Sequence, residues 1–262
     1  MKKKLVVMLS VLLLAGFVAG CEDSNSNMDA TSKTKIVVGC TANPHADILK
    51  VAQPLLEEEG YTMEIKTFTD YVLLNPALVD GQIDANFFQH IPYLEDYNAE
   101  NQQDLVWTVK VHNEPMGIYS KKITNLADLK DSAKVGIPND NTNRGRALMV
   151  LEAADLIKLK DNVDVRAAVE DIVENPKQLA VVPMDAAMLP RSLEDMDICV
   201  INSNYALEGG LDPVKDSIFS EAKDSPFANV LVVKPEDKDN PAILALGKAL
   251  QSNEVKTFLD ET

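Results

Sequence analysis

Cysteine, histidine and basic residues are scarce in this chain of 262 residues. It has three cysteines and three histidines, and 25 Lys and Arg residues stand against 41 Asp and Glu residues, which gives a net charge of -16. Three cysteines are too few for a disulfide framework. A chain this acidic repels phosphate backbones, so the composition argues against nucleic-acid binding.

Motifs of catalysis and metal binding are also missing from the sequence. It contains no glycine-rich phosphate loop, no nucleophile elbow and no Cys or His pair at metal-ligand spacing. The histidines, His45, His90 and His112, are far apart along the chain. We therefore predict a protein that is not an enzyme and that uses no cofactor or metal.

The N-terminus has the parts of a bacterial export signal. Lysines at positions 2–4 precede Leu5–Ala19, an apolar run of 15 residues. A membrane-spanning helix needs roughly 20 apolar residues, so the run is typical of a signal peptide. It ends in VAGC, which resembles the lipobox and implies that residues 1–20 are removed and that Cys21 is lipidated. A plain secretory signal with a chance cysteine is the alternative.

Residues 22–34 are polar and without apolar periodicity, which predicts a flexible tether behind Cys21. Acyl chains on Cys21 would hold the mature protein at the membrane. We therefore expect a lipid-anchored protein on the extracytoplasmic side of the bacterial cell membrane.

Beyond the tether, short apolar runs alternate with helical patterns. Strands are predicted at 35–39, 63–68, 83–87, 105–109, 116–119, 134–137, 179–182, 198–201 and 230–233, and helices at 44–59, 143–154 and 241–251. Strands separated by helices predict an α/β protein. About nine strands fit two sheets better than one, so we expect a two-lobed fold like that of periplasmic binding proteins, with a parallel or mixed sheet in each lobe.

We place lobe I at residues 35–115 plus 204–262 and lobe II at residues 116–203. Two crossover segments are then expected, near residues 116–120 and 201–204. Two-lobed proteins commonly bind small molecules in the cleft between lobes. An exported and tethered protein of this kind is most simply a solute-binding protein.

Four blocks resemble the methionine-binding lipoproteins, which are the substrate-binding components of methionine ABC importers. They are FTDYVLLNPALVDGQIDANFFQHIPYLEDYN (68–98), PMGIYSKKI (115–123), IPNDNTNRGRAL (137–148) and VINSNYA (200–206). The resemblance covers nearly all of residues 35–261. It implies that the protein captures methionine between its lobes and delivers it to a membrane permease and a separate ATPase subunit.

Asn143 and Arg146 are predicted to bind the carboxylate of the ligand. They lie three residues apart, on one face of the first turn of a predicted helix. A helix N-terminus offers free N–H groups, and arginine adds two parallel donors. The alternative is an arginine on a solvated helix face that pairs with a nearby acid.

Four ring-bearing residues form a second predicted cluster. By resemblance, Tyr71, Phe88, His90 and Tyr93 line the pocket around the methionine side chain. Aromatic rings suit a thioether, because sulfur–aromatic contacts contribute about 0.3–1.5 kcal/mol each. Core packing is the alternative for the rings, and a structural hydrogen bond is the alternative for His90. The neighbouring Phe87 is expected to face the core.

Asn202 and Asn229 complete the predicted ligand set. By resemblance, both hydrogen-bond the polar end of the amino acid, and Asn202 follows a predicted strand at the second crossover. A turn or strand-end residue is the alternative for Asn229. Asn204 is predicted to be a turn residue. Cys40 and Cys199 lie in or beside apolar strands, where two buried free thiols are favoured over a disulfide.

The sequence leaves other functions open. Within the binding class, the ligand is alternatively a short methionine-containing peptide or another apolar amino acid. A similar two-lobed fold also serves enzymes that act on small metabolites, and a catalytic lysine or histidine inside the pocket would favour that function. Adhesion as a second activity is a third alternative.

Overall fold

The computed structural model describes residues 34–222 and 225–261. The predicted signal peptide, Cys21 and all of the predicted tether except its last residue lie outside this part of the chain. The described residues contain two five-stranded mixed sheets and a two-stranded hairpin. The predicted α/β fold with one sheet in each of two lobes is confirmed.

The strands, in chain order, are β1 (Lys35–Cys40), β2 (Thr62–Thr67), β3 (Ala85–His90), β4 (Val106–Asn113), β5 (Gly117–Tyr119), β6 (Lys134–Pro138), β7 (Lys158–Leu159), β8 (Ile172–Glu174), β9 (Ala180–Met184), β10 (Ile198–Ile201), β11 (Phe219–Ser220) and β12 (Ala228–Val233). The α-helices are α1 (Asp47–Glu58), α2 (Leu74–Val79), α3 (Ile91–Asn101), α4 (Asn141–Ala153), α5 (Leu189–Ser192), α6 (Ser203–Glu208), α7 (Pro241–Leu250) and α8 (Asn253–Glu261).

The first sheet has the strand order β2-β1-β3-β12-β4. Strand β1 is parallel to β2 and β3, whereas β12 is antiparallel to β3 and β4. Helix α1 packs with β1 and α7 in one core because Ile48, Leu49, Ala52 and Leu56 recur at helical spacing on its buried face. Gly60, at a φ of +85°, lets the chain turn back after α1.

The second sheet has the strand order β11-β5-β10-β6-β9. Strand β6 is parallel to β9 and β10, and β5 is antiparallel to β10 and β11. Helix α4 packs against this sheet, with Leu148 and Leu151 buried in the same core as Val135 and Ile137 of β6. The start of α4 therefore lies at the carboxyl end of β6, facing the first lobe.

The second crossover lies later in the chain than predicted. Strand β11 pairs with β5 of the second sheet, so residues 219–220 belong to lobe II and not to lobe I. The chain passes to β12 of the first sheet through residues 221–227. The boundary predicted at 203/204 is therefore incorrect, because a two-residue strand carries no periodic pattern that the sequence could reveal. The first crossover, residues 114–116, lies beside its predicted position.

Cys40 and Cys199 are buried and unpaired, in the first and the second sheet respectively. Burial raises the pKa of both thiols to about 12, which makes them unreactive as nucleophiles. The favoured prediction of two buried free thiols is therefore confirmed. In the described part of the chain, every helix is too short or too polar to span a bilayer.

Candidate functional site

A cavity with about 340 Å³ of empty space lies between the two lobes. All eight residues predicted to bind the ligand line it: Tyr71, Phe88, His90, Tyr93, Asn143, Arg146, Asn202 and Asn229. The lining also includes four residues outside that predicted set: Gln89, Glu114, Ser203 and Asn204.

Strands β3 and β12 position the residues of the first lobe. Side chains alternate along β3, so Phe87 enters the core of the first lobe whereas Phe88 lies in the cavity wall. The prediction that Phe87 faces the core is confirmed. Asn229 of β12 lies opposite His90 of β3 in the antiparallel register. One strand pair thus holds side by side two residues that are far apart in the sequence.

Aromatic rings form one wall of the cavity. The ring centroid of Tyr71 lies 5.6 Å from that of Phe88 and 6.1 Å from that of Tyr93, and the rings of Phe88 and Tyr93 are 5.7 Å apart. Tyr205, which the sequence analysis did not single out, packs on Tyr71 at 4.6 Å. Tilted and edge contacts at these distances are favourable, so the rings support one another in position.

His90 has a structural role in addition to its place in the wall. It is the N-cap of α3, where its Nδ1 accepts a hydrogen bond from the backbone N–H of Tyr93 at 3.1 Å. The proton is therefore on Nε2, which donates to Oδ1 of Asn143 at 3.3 Å. Burial, together with the nearby Arg146, lowers the pKa of His90 to about 3, so the ring is neutral at physiological pH.

Asn143 connects the two lobes through its side chain. Its Oδ1 accepts hydrogen bonds from His90 of the first lobe and from Nδ2 of Asn202, the latter at 2.8 Å. Its Nδ2 donates to both carboxylate oxygens of Asp140 at 3.1 Å. These contacts use both polar atoms of the Asn143 side chain within the protein, so Asn143 shapes the cavity as a bridge.

The start of α4 differs from the prediction. The helix begins at Asn141, so Arg146 lies in its second turn and not in the first. Asp140 is the N-cap and accepts a hydrogen bond from the backbone N–H of Asn143 at 2.9 Å. Since the Asp140 carboxylate occupies the helix N-terminus, the donor that α4 offers to an anion in the cavity is the side chain of Arg146.

One edge of the Arg146 guanidinium is held by the protein itself. Nε donates to the two carboxylate oxygens of Glu221 at 3.1 and 3.2 Å, and Nη2 donates to Glu221 at 2.6 Å. Nη2 also donates to the backbone carbonyl of Glu114 at 2.7 Å. The ring of Phe227 lies 4.3 Å from the guanidinium carbon in a cation–π contact. Arg146 therefore pairs with a nearby acid, as the alternative prediction had it, but it lies in the cavity wall and not on a solvated helix face. Its Nη1 makes no hydrogen bond with the described residues.

Glu114 was missed by the sequence analysis and lies in the first crossover. Its Oε1 is 2.7 Å from Nε2 of His112 and 3.4 Å from Nε2 of His45. Burial favours the neutral acid, but His45, His112 and Arg146 outweigh burial and lower the pKa of Glu114. The cavity wall therefore contains an anion as well as a cation. The one sequence signal was a charged residue at the end of a strand, which is too common to identify a site.

Asn204, predicted to be a turn residue, is instead buried in α6 and lines the cavity. Its Oδ1 accepts a hydrogen bond from the hydroxyl of Tyr71. The bond links α6 to the turn that carries Tyr71 in the first lobe. It also orients the amide so that its other atom, Nδ2, is the one without a partner.

Several polar atoms on cavity-lining side chains make no hydrogen bond with the described residues, and four of them belong to residues that can bind the polar groups of a ligand. Two are donors, Nη1 of Arg146 and Nδ2 of Asn204. Two are acceptors, Oδ1 of Asn202 and Oε2 of Glu114. Buried polar groups without partners are costly, so their presence together indicates a ligand that has both acceptor and donor groups.

Comparisons with known proteins point to one family. The family model described as NlpA lipoprotein matches residues 36–262. The methionine-binding lipoprotein MetQ of Bacillus subtilis is 41% identical over 264 residues, which cover 99% of this chain and 96% of the relative.

Solved structures of similar proteins have the same fold. A nutrient-binding protein from Burkholderia cenocepacia, solved bound to methionine, has a TM-score of 0.84 and 43% identity, covering 86% of this chain and 95% of that one. An ABC transporter periplasmic substrate-binding protein from Coxiella burnetii has a TM-score of 0.83 and 43% identity, covering 86% and 96%. Because the family model matches residues 36–262, the chain belongs to the NlpA lipoprotein family.

Proposed function

We propose that this protein is the substrate-binding component of an ABC importer and that its cargo is methionine. The observation that carries the proposal is one cavity that combines unpartnered donors, unpartnered acceptors and an aromatic wall. A free amino acid has a carboxylate that needs donors and an ammonium group that needs acceptors. The aromatic wall suits a thioether. The similar proteins from Bacillus subtilis and Burkholderia cenocepacia, described as methionine-binding and as bound to methionine, support this cargo.

The polar end of the cargo divides between two pairs of side chains. We assign its carboxylate to Nη1 of Arg146 and Nδ2 of Asn204. We assign its ammonium group to Oε2 of Glu114 and Oδ1 of Asn202. Each charged group of the cargo then meets one side chain of opposite charge and one neutral amide, which compensates for its removal from water. Asn229, opposite His90 in the strand pair, completes the polar wall.

Capture and closure are coupled in this proposal. Arg146 belongs to α4 of the second lobe, whereas Phe88 and His90 belong to β3 of the first. A ligand that touches all three contacts both lobes at once, and it does so only when the lobes are together. The ligand therefore shifts the population toward the closed form, in which the protein meets its membrane permease and ATPase partners.

The cavity gives little support to the alternative of an enzyme. Among the described residues, no lysine lines it. Both ring nitrogens of His90 are engaged, one by the Tyr93 N–H and one by Asn143, and its pKa is too low for proton transfer near neutral pH. We therefore propose transport binding without catalysis.

Native mass spectrometry of the purified protein tests the cargo. Because most of the side chains that line the cavity are buried, we expect some of the protein to retain its ligand through purification. A bound mass equal to one methionine, which is lost on unfolding, is the expected result. The mass of a methionine-containing dipeptide or of another amino acid would contradict the proposed cargo and name its replacement.

Truncation of the aromatic wall is expected to reduce selectivity. Phe88→Ala removes a ring from the cavity, and a lost sulfur–aromatic contact costs about 0.3–1.5 kcal/mol, or up to roughly tenfold in affinity. Calorimetry should show weaker binding of methionine and little change for alanine. Phe258→Ala, the same substitution in α8 outside the cavity, is the matched control. Equal losses for both ligands would mean that Phe88 does not contact the side chain of the cargo.

Membrane attachment is expected to depend on Cys21, which lies outside the described residues. Cys21→Ser removes the thiol that the lipobox-like sequence presents for acylation. The variant should carry no lipid and should not partition with membranes, because its acyl anchor is missing. Membrane fractionation and mass spectrometry of the mature protein measure both effects. A Cys21→Ser protein that is still lipid-modified would contradict the lipoprotein prediction.

A further inference from the structure

A second cluster of reactive side chains lies beside the cavity and shares only Glu114 with it. His45 comes from the turn before α1, His112 from the end of β4 and Glu114 from the first crossover. Each offers one ligating atom, and these atoms lie within 4.8 Å of one another. The two histidines are far apart in the sequence, so only the fold brings them together.

His45 is oriented as a metal ligand would be. It is 1% exposed, and its Nδ1 is hydrogen-bonded to Oγ1 of Thr41 at 2.7 Å. Its Nε2 lies 3.4 Å from Oε1 of Glu114 and has no hydrogen-bond partner among the described residues. A ring nitrogen fixed by a neighbour, with the other nitrogen free, is the usual arrangement of a metal-binding histidine.

The separation of His45 and Glu114 within the cluster suits a tetrahedral ion. Zn²⁺ holds imidazole nitrogen and carboxylate oxygen at about 2.0–2.2 Å, so two of its ligands lie about 3.3 Å apart. The 3.4 Å between His45 and Glu114 matches this separation. The 2.7 Å between His112 and Glu114 is a hydrogen bond. A bound metal ion would replace the proton of this hydrogen bond and would widen the separation of His112 and Glu114 by about half an ångström.

We propose that His45, His112 and Glu114 form a binding site for one Zn²⁺ ion. Two imidazoles and one carboxylate favour a transition metal over Ca²⁺ or Mg²⁺, which prefer sets of oxygen ligands. Three protein ligands leave a fourth position for water. A separate surface groove, lined in part by Pro44, His112, Glu114 and Leu259, gives an ion access from outside the cargo cavity.

Titration with Zn²⁺ tests the site. The lipoprotein is purified in detergent without a histidine tag, treated with a chelator and returned to chelator-free buffer. We expect calorimetry to show one Zn²⁺ per chain and thermal unfolding to shift upward with Zn²⁺ concentration. Co²⁺ should give the strong visible absorption of a four-coordinate ion.

Variants locate the bound ion. His112→Gln and His45→Gln should lose Zn²⁺ binding, and Thr41→Val, which removes the hydrogen bond that orients His45, should weaken it by about 10–100-fold. His90→Gln changes the third histidine of the chain, which is outside the cluster, and should bind Zn²⁺ as the unmodified protein does. Circular dichroism confirms folding, and if His45→Gln does not fold, His112→Gln and Thr41→Val decide the result.

Two outcomes would overturn the proposal. One is the absence of both a binding heat and a shift in unfolding temperature with Zn²⁺. The other is equal Zn²⁺ affinity in the unmodified protein and in folded His112→Gln, which would place the ion elsewhere. Neither outcome bears on methionine capture, because the cargo is measured separately by mass spectrometry of the same protein.

Discussion

Arg146→Ala is expected to weaken methionine binding by about two to four orders of magnitude. In the proposed complex, Nη1 of Arg146 is the one cationic donor that the described cavity wall offers to the cargo carboxylate. Removing one partner of a buried charge pair costs roughly 3–5 kcal/mol, which corresponds to this loss of affinity. Calorimetry with methionine measures the effect, and circular dichroism shows that the variant is folded.

The same substitution also affects stability, because it leaves the carboxylate of Glu221 without its cation. The double variant Arg146→Ala/Glu221→Ala removes both partners and should recover much of the lost stability without recovering methionine binding. Arg144→Ala is the matched control in the same helix, since Arg144 contacts the carbonyl of Ala167 and not the cavity. Unchanged affinity in folded Arg146→Ala would show that the carboxylate is held elsewhere.

Glu114→Gln is expected to weaken methionine binding by roughly 10–150-fold. The substitution keeps the size of the side chain and removes the charge that we assign to the cargo ammonium group. A hydrogen bond to a charged group contributes roughly 1.5–3 kcal/mol, which sets the expected range. The desamino analogue of methionine, which has no ammonium group, separates this effect from a general distortion. Its affinity should change little in Glu114→Gln.

A matched control for the loss of charge is Glu194→Gln. Glu194 is exposed and pairs with Lys121 at the surface, so it should not affect either ligand. Equal losses for methionine and its desamino analogue in Glu114→Gln would contradict the assignment of Glu114 to the ammonium group. Glu114 would then act through the crossover and not through the cargo.

Local patterns in the sequence predicted the strands of both sheet cores. The β1 sequence KIVVG and the β10 sequence ICVI are runs of apolar residues, and both are buried strands. The strands missed were β7, β8 and β11, which have two or three residues each. Segments this short become strands because of the strand they pair with. Two or three residues are too few to show the alternation of apolar and polar side chains that predicts a strand.

The resemblance to a family identified eight residues of the cavity wall, but it did not predict what each side chain contacts. Arg146 was expected to bind the carboxylate of the ligand, and the structure adds that one edge of its guanidinium is bound to Glu221. Asn143 was expected to bind the ligand, and the structure adds that its side chain bridges His90 and Asn202. Hydrogen bonds between residues so far apart in the chain depend on which segments meet in space, and no local pattern records that.

By itself, the sequence predicted an export signal and determined the α/β class, and its resemblance to a family located the aromatic and cationic residues of the cavity. The predicted export signal and the α/β class follow from residue types that are adjacent or regularly spaced. For the α/β class the reason is that burial of an apolar face imposes a short period on the chain. Only the tertiary structure decided that β11 belongs to the second lobe, that Glu221 holds Arg146 and that His45 meets His112 at Glu114. Those pairings join side chains from separate elements, and the packing of the two lobes, rather than any segment, sets their distances.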